Sequence, residues 1–281
     1  RDYAAAYEFG TLALEVNRRF DDRRRRAKIQ QQFHAHVNLW CRPMHTCIEH
    51  AKEACRSGLA SGDFLYAAYG ASTESWPALV SCQDLGECVR SLEPNLALVV
   101  QLRNTAFADV LRMVMAWARA LQGRTAAPLS LSHTEGEGFD EAAYAQTYRD
   151  NPFFSMFHAI ARLHIGYLQG DAPQALAAVM AVRRSAHQLT GMIWSVLFDV
   201  WGSLTLAACI EQAADAQQRD DWLAQMRESL ASLAVLAQSC AVNFRCHWLL
   251  LGAELERIGG RNDAALDRCE QAIAQADDAA D

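Results

Sequence analysis

The sequence predicts an all-α fold in which antiparallel helix pairs stack side by side as an α-solenoid. Hydrophobic residues make up 51% of the 281 residues, and only six prolines and 15 glycines interrupt them, a composition that suits long helices. No segment shows the strict alternation of apolar and polar residues that marks a strand. One short construction also occurs three times, a glycine five residues before a small alanine: Gly62 and Ala67, Gly170 and Ala175, Gly260 and Ala265.

This construction is typical of tightly packed helix pairs. A glycine can close one helix, and an alanine at the first buried position of the next helix lets the two approach closely. The second and third copies also correspond over a longer stretch at a constant offset, with Leu168 matching Ile258 and Val179 matching Cys269. Pairs that recur in this way stack into solenoids, and solenoids mostly bind partners.

The first half of the chain is predicted to be helical wherever apolar residues recur three and four positions apart. Pro43 suits an early position of the third helix, and Pro77 is expected to end the fourth. Pro94 is expected to open a helix that reaches Gln122 and measures ~42 Å at ~1.5 Å per residue. The predicted helices span residues 3–20, 22–40, 43–58, 63–75, 84–92 and 94–122.

The second half is more regular. Residues 123–138 contain Pro128, Gly136 and Gly138 and are predicted to form a mobile loop. Beyond this loop, apolar residues recur three and four positions apart along one helix face, as Trp222 and Met226 do. The predicted helices span residues 140–149, 152–168, 172–188, 191–213, 218–240, 243–258 and 262–277.

One apolar segment, Leu189–Ile210, is long enough to be considered as a membrane span. Its only charge, Asp199, would cost ~2.5–3.5 kcal/mol near the middle of a bilayer. A central helix packed on both sides explains the segment better, and no membrane association is expected. The nine cysteines are odd in number and irregular in spacing, which favours free thiols and a cytoplasmic protein.

The regular half carries a resemblance to a known repeat. Leu163–Ala186 and Gly252–Ala276 resemble degenerate tetratricopeptide (TPR) repeats, although Leu163 and Ala253 stand where the repeat has glycine. The matching positions of the last copy are Gly260, Ala265-Leu266, Cys269 and Ala272.

A wider order of segments resembles one particular family. These segments are Tyr7-Glu8-Phe9-Gly10, Phe33 through Trp40, Gly58-Leu59, Gly62-Asp63 and Tyr66-Ala67-Ala68-Tyr69. They are similar to the helical region of large bacterial signalling proteins that join a protein-kinase-like module, a STAND-type ATPase, a GAF domain and a sensor histidine kinase. In those proteins this region follows the ATPase and precedes the output domains.

The resemblance implies that residues 1–281 form one TPR-like region excised from a larger protein, with a looser half at 1–122 and a regular half at 139–281. It implies a non-catalytic region without cofactors, which binds a protein partner or senses an unknown small effector and relays its state to adjacent ATPase or kinase domains. The net charge of −7 argues against a nucleic-acid partner.

A metal site is one alternative. His45, Cys47 and His50 lie within six residues, with Cys41, His34 and His36 just upstream. Zinc needs ligands that converge on one point, but on a helix His45 lies about 200° from Cys47. Core or surface roles explain these side chains more simply, and no metal ligand is assigned.

An all-α, Mg²⁺-dependent enzyme acting on a diphosphate, similar to the terpene cyclases, is the competing class. Asp21-Asp22 and the Asn262-Asp263 to Glu270 stretch are similar to its two metal-binding motifs. Leu266 replaces the serine of the second motif, and arginines follow the aspartate pair. The same stretch also fits the start of a repeat helix.

The remaining features have ordinary interpretations. The arginine run from Arg18 to Lys28 suits a solvated helix face or an acidic protein surface. The aromatic residues suit the core; they are Trp40, Tyr66, Tyr69, Trp76, Trp194 and Trp201. No nucleophile elbow or phosphate-binding loop occurs. The sequence therefore assigns no catalytic, cofactor-binding or metal-binding residue.

Overall fold

The computed structural model describes residues 2–135, 138–183 and 190–280. They form two compact units, which meet in sequence at Tyr148 and Arg149. The predicted all-α class is confirmed: the described residues are helical apart from turns and one isolated β-bridge between His133 and Phe139.

The first unit is built from consecutive helices that pack on their neighbours in the chain. Its helices are α1 (Tyr3–Arg19), α2 (Arg23–His36), α3 (Thr46–Ser61), α4 (Phe64–Thr73), α5 (Ser75–Ser81), α6 (Leu85–Gln101), α7 (Thr105–Leu121) and α8 (Glu141–Thr147). The centre of its core is α7, where Leu111 and Trp117 are fully buried and which packs on α4, α5 and α6.

The prediction of one long helix from Pro94 to Gln122 is wrong. Pro94 lies inside α6, and the chain breaks between α6 and α7 at residues 102–104. Arg103 adopts a left-handed conformation with φ of 55°, and the side chain of Asn104 accepts a hydrogen bond from the Phe107 N–H at 3.3 Å. A cap of this kind starts a new helix without any glycine or proline at the break.

Pro77 does not end a helix as predicted. It lies in the first turn of α5, which follows α4 after Glu74 alone. Proline is tolerated there because the first N–H groups of a helix have no partner within it.

The stretch after α7 is irregular but attached to the unit. Leu131 is fully buried, and its N–H donates to the Glu141 carboxylate at 2.9 Å. The Glu141 N–H in turn donates to the Ser132 hydroxyl at 3.1 Å. Gly136 lies outside the described residues, and the mobility of this loop stays a prediction.

The second unit contains the more regular helices. They are α9 (Pro152–Leu168), α10 (Ala172–Arg183), α11 (Ile193–Ala208), α12 (Ala216–Ser239), α13 (Ala241–Ile258) and α14 (Asn262–Ala280). The helix predicted to span residues 172–188 corresponds to α10. Its predicted carboxyl-terminal end, residues 184–188, lies outside the described residues.

The glycine construction forms three helix hairpins: α3–α4, α9–α10 and α13–α14. Gly62, Gly170 and Gly260 have φ of 75°, 73° and 75°, a conformation that costs other residues ~1–2 kcal/mol. Ala67 and Ala175 are fully buried at the start of the second helix. The predicted helix pairs therefore exist, and their turns form for the predicted reason.

Helix α11 is the core helix of the second unit. Trp194 and Val200 are buried in it, and it packs on α9, α10, α12 and α13. This placement agrees with the central helix predicted for the apolar segment. In the described parts of the chain, none of the helices combines the length and the apolar character that crossing a membrane requires.

Candidate functional site

The candidate site is a cavity of about 200 Å³ inside the second unit, bounded by α10, α11 and α12. Most of its polar groups come from one stripe on each of two helices. Helix α11 contributes Asp199 and Ser203, four residues apart on the same face, and α12 contributes Gln225, Glu228 and Ser229. Ser232 of α12 and Arg183, at the end of α10, complete the polar lining.

Space for the cavity comes from a small residue on the core helix. Gly202 lies in the lining beside Asp199, and a Cβ atom added to it would meet only the Phe198 ring, at 3.6 Å. Val179, Phe198 and Leu206 form the apolar part of the wall. The cavity is thus an opening between helices that are otherwise closely packed.

Asp199 is the most buried of the charged groups in the lining. It is partly buried, and among the described residues its carboxylate has neither a hydrogen bond nor an ion pair. Burial, followed by the charge of Glu228, raises the pKa of Asp199 to about 6. At neutral pH a carboxylate with this pKa is mostly ionised and gains from any cation that enters.

Ser203 is a second unpaired group in the cavity. It is only 4% exposed, it lines the cavity, and its hydroxyl finds no hydrogen-bond partner in the described residues. The hydroxyl oxygen faces the cavity and is not enclosed by protein atoms, so it can accept a hydrogen bond from a ligand. Asp199 and Ser203 together therefore offer two acceptors to a small donor.

No protein-family model, curated protein or solved structure matches this chain.

The histidines and cysteines of the possible metal site take other roles. The His34 Nε2 and the Thr73 hydroxyl are 2.9 Å apart, and the His50 Nδ1 and the Gln30 amide oxygen are 2.7 Å apart. Cys47 is buried and accepts from the Asn38 amide at 3.4 Å. Within the described ranges, no three His, Cys, Asp or Glu side chains are grouped so that they could hold a metal ion.

The residues of the enzyme alternative lie in different units. Asp21 accepts from Arg26 at 2.8 Å and Asp22 from Arg25 at 2.6 Å, and these hydrogen bonds lower the pKa of both carboxyl groups. Asp263 and Glu270 are exposed on α14 in the second unit. The aspartate pair is thus already occupied by the arginines that follow it.

The arginine run is partly neutralised by acids of its own segment. Besides the Asp21 and Asp22 contacts, Arg18 pairs with Glu15 at 2.7 Å, and the Lys28 ammonium lies 5.6 Å from the centre of the Tyr66 ring. A basic helix surface remains, as predicted for a solvated face.

The singled-out aromatic residues mostly belong to the core. Trp40 and Trp76 are each 5% exposed, and Trp194 is fully buried. Trp201 stacks on His164 with ring centres 3.9 Å apart, and burial lowers the pKa of that histidine to about 3. The core interpretation is confirmed for Trp40, Trp76 and Trp194, whereas Trp201 is partly buried at the edge of the core.

Sequence reasoning used Asp199 only as an argument against a membrane span. The signal that could have identified it is the same one, a lone carboxylate on an otherwise apolar helix. What the sequence could not show is that α10 and α12 leave a gap at this carboxylate.

Proposed function

We propose that this chain is a non-catalytic helical-repeat region of a bacterial signalling protein, which senses a small cationic ligand in the cavity around Asp199. The single observation that carries the proposal is the pair of unpaired acceptors, Asp199 and Ser203, on the core helix of the second unit. In this proposal the bound state is relayed to neighbouring ATPase or kinase domains.

The packing of consecutive helices supports a repeat architecture. In the second unit each helix from α9 to α13 packs on the next, and α11 also packs on α9 and α13, two positions away in either direction. This pattern is typical of stacked helix pairs. We therefore include a TPR-like α-solenoid in the proposal.

The chemistry of the cavity favours a primary amine. An ammonium group can donate three hydrogen bonds, and Asp199, Ser203 and the Glu228 carboxylate are all acceptors facing the cavity. The volume of about 200 Å³ is below the ~300–1,000 Å³ range of pockets for drug-sized ligands. A short aliphatic diamine satisfies both requirements, because its ammonium groups donate to these acceptors and its chain is small enough for the cavity.

A ligand in this position acts on the arrangement of helices. The cavity walls come from α10, α11 and α12, so a bound amine stabilises the spacing of these three helices. A ligand shifts a conformational equilibrium only through its different affinity for the two states. The relayed signal is then a change in the packing of the second unit.

Helix α1 supplies a surface that suits a protein partner. Phe9, Leu12, Val16 and Phe20 recur at helical spacing and are 74%, 55%, 46% and 74% exposed, while α1 packs on α2. Contiguous exposed apolar patches mark interaction sites. The exposed Arg19, Arg23 and Arg24 nearby favour an acidic partner surface.

The proposed function is tested by isothermal titration with 1,4-diaminobutane at pH 7.5, with 1,4-butanediol as the neutral analogue. We expect one molecule of the diamine to bind and the diol not to bind. Asp199→Asn is expected to weaken diamine binding at least tenfold. Asp221→Asn, the same substitution at an exposed aspartate of α12 outside the cavity, is the control and keeps wild-type affinity. Equal affinity of the Asp199 and Asp221 variants would overturn the proposal.

A further inference from the structure

A second cavity, of about 180 Å³, lies inside the first unit between α6, α7 and the segment after α7. Its polar lining consists of Glu93, Arg112, Arg119, His133 and Glu135, and its apolar wall includes Leu96 and Met115. No residue of this cavity takes part in the site around Asp199, so the two are independent.

Arg119 is a buried cation with little compensation. It is 8% exposed, and its guanidinium forms no hydrogen bond with the described residues. The nearest carboxylate oxygen is Oε2 of Glu135, 3.8 Å from Nε. That same oxygen accepts a hydrogen bond from Arg124 at 2.7 Å, so the exposed arginine holds it more firmly than the buried one does.

This arrangement leaves donors available in the cavity. A guanidinium carries five N–H donors, and burying a charge without partners is costly. The other arginine in the lining, Arg112, differs because it pairs with Asp109 at 3.0 Å. Arg119 is therefore the cation of this cavity that an anion would satisfy.

His133 adds a second unsatisfied polar group. It is 7% exposed, and its Nδ1 is buried without a hydrogen-bond partner in the described residues. Burial, followed by the charge of Arg119, lowers the pKa of His133 and keeps the ring neutral at pH 7. A neutral ring carries one N–H, and in the tautomer that places it at Nδ1 the ring donates alongside the guanidinium.

The rest of the lining sets the character of the ligand. Leu96 and Met115 are 6% and 4% exposed and form an apolar floor beside the two polar groups. A fully hydrated inorganic anion would gain nothing from this floor. An anion with a short hydrocarbon part would bury it there, at ~0.8 kcal/mol per CH₂ group.

We propose that this cavity binds a small organic monoanion, a short-chain aliphatic carboxylate, whose carboxylate accepts hydrogen bonds from Arg119 and His133 while its chain lies on Leu96 and Met115. The site is distinct from the amine site of the second unit. It gives the chain a second, chemically opposite ligand.

The experiment is isothermal titration of the whole chain with butyrate, with butyramide as the neutral analogue and inorganic phosphate as the purely polar anion. We expect one butyrate to bind and neither comparison compound to bind. Arg119→Met is expected to lower butyrate affinity at least tenfold. Arg56→Met, at an arginine of α3 outside the cavity, keeps wild-type affinity.

A second variant keeps the test decisive if the Arg119 variant does not fold. Glu135 is exposed and competes with the ligand for Arg119, so Glu135→Gln is expected to raise butyrate affinity. Absence of butyrate binding to the wild type, binding of phosphate in its place, or unchanged affinity in Glu135→Gln would overturn the proposal. Asp199 does not line this cavity, so Asp199→Asn is expected to leave butyrate binding unchanged, and failure at one cavity is distinguishable from failure at the other.

Discussion

Gly58 of α3 lies directly against the backbone of Ala67 of α4: a Cβ atom added to this glycine would lie 2.6 Å from the alanine nitrogen. The same relationship recurs in the second hairpin, where a Cβ atom on Gly166 would lie 3.1 Å from the Ala175 nitrogen. Both glycines are four residues before the turn glycine of their hairpin. Close contact between the two helices therefore depends on a second glycine as well as on the alanine.

We expect Gly58→Ala to destabilise the first unit by ~2 kcal/mol or more, because the added methyl group meets backbone atoms that cannot move independently. Urea unfolding at pH 7 measures the effect. Gly202→Ala is the matched control, since a Cβ atom there has room beside Phe198. That control is expected to be neutral or to stabilise by up to ~1 kcal/mol through helix propensity. A neutral Gly58→Ala would contradict the close approach.

Asp199 makes stability depend on pH in a defined direction. Its pKa is raised from 3.8 to about 6 on folding, so the folded state binds its proton more tightly than the unfolded state does. The protonated carboxyl group therefore contributes to the stability of the folded state. This contribution is fully present below pH ~4 and is lost as the pH rises through ~6. Asp199→Asn is therefore expected to gain ~2 kcal/mol over the wild type between pH 4 and 7, as measured by urea unfolding. A constant difference across that range would show that the carboxyl group titrates normally.

His34 gives the opposite dependence. Burial lowers its pKa to about 3, so the unfolded chain takes up a proton below pH ~6.5 while the folded chain does not. Stability is then lost as the pH falls from ~6.5, by ~2 kcal/mol at pH 5. The free energy of unfolding of His34→Gln, measured with urea at pH 7, 6 and 5, should not show this decrease at low pH. His45→Gln, at an exposed histidine, should unfold like the wild type at each pH.

The apolar stripe of α1 is expected to contribute little to folding. Phe9 and Phe20 are each 74% exposed, so the double substitution by serine should change the unfolding free energy by less than ~0.5 kcal/mol. It should also reduce the fluorescence of a hydrophobic dye bound to the native protein. Phe33→Ser is the buried comparison, at 3% exposure, with an expected loss of ~3 kcal/mol or more. Similar losses for both variants would mean that the stripe is covered.

The helix pairs could be predicted because their signal is local. Gly62, Gly170 and Gly260 close their helices through their own φ angles, and Ala67 follows within one turn of the next helix. The break at Arg103 could not be predicted in this way, since neither glycine nor proline marks it. A capping asparagine and one left-handed arginine are weak signals inside an apolar run.

The cavities depend on contacts that the sequence does not display. Asp199 can be recognised as the lone charge of its apolar helix, and Arg119 as the charge within the apolar last turns of α7. Whether such a charge faces a gap or a counter-ion depends on helices far away in the chain. Local periodicity identifies the buried face of α7 or α11, but packing with neighbouring helices determines where that face stays open.

The third hairpin lacks the second glycine. At the position equivalent to Gly166 it has Glu256, whose carboxylate contacts Arg261 at the turn and lies 3.6 Å from Arg268 on α14. Ions in solution screen such partly exposed charge contacts, whereas they leave a glycine contact between helices unaffected. Raising the potassium chloride concentration should therefore speed amide hydrogen exchange in α14 at a lower salt concentration than in α4 or α10. The α13–α14 hairpin is then the part of the molecule that responds to ionic strength.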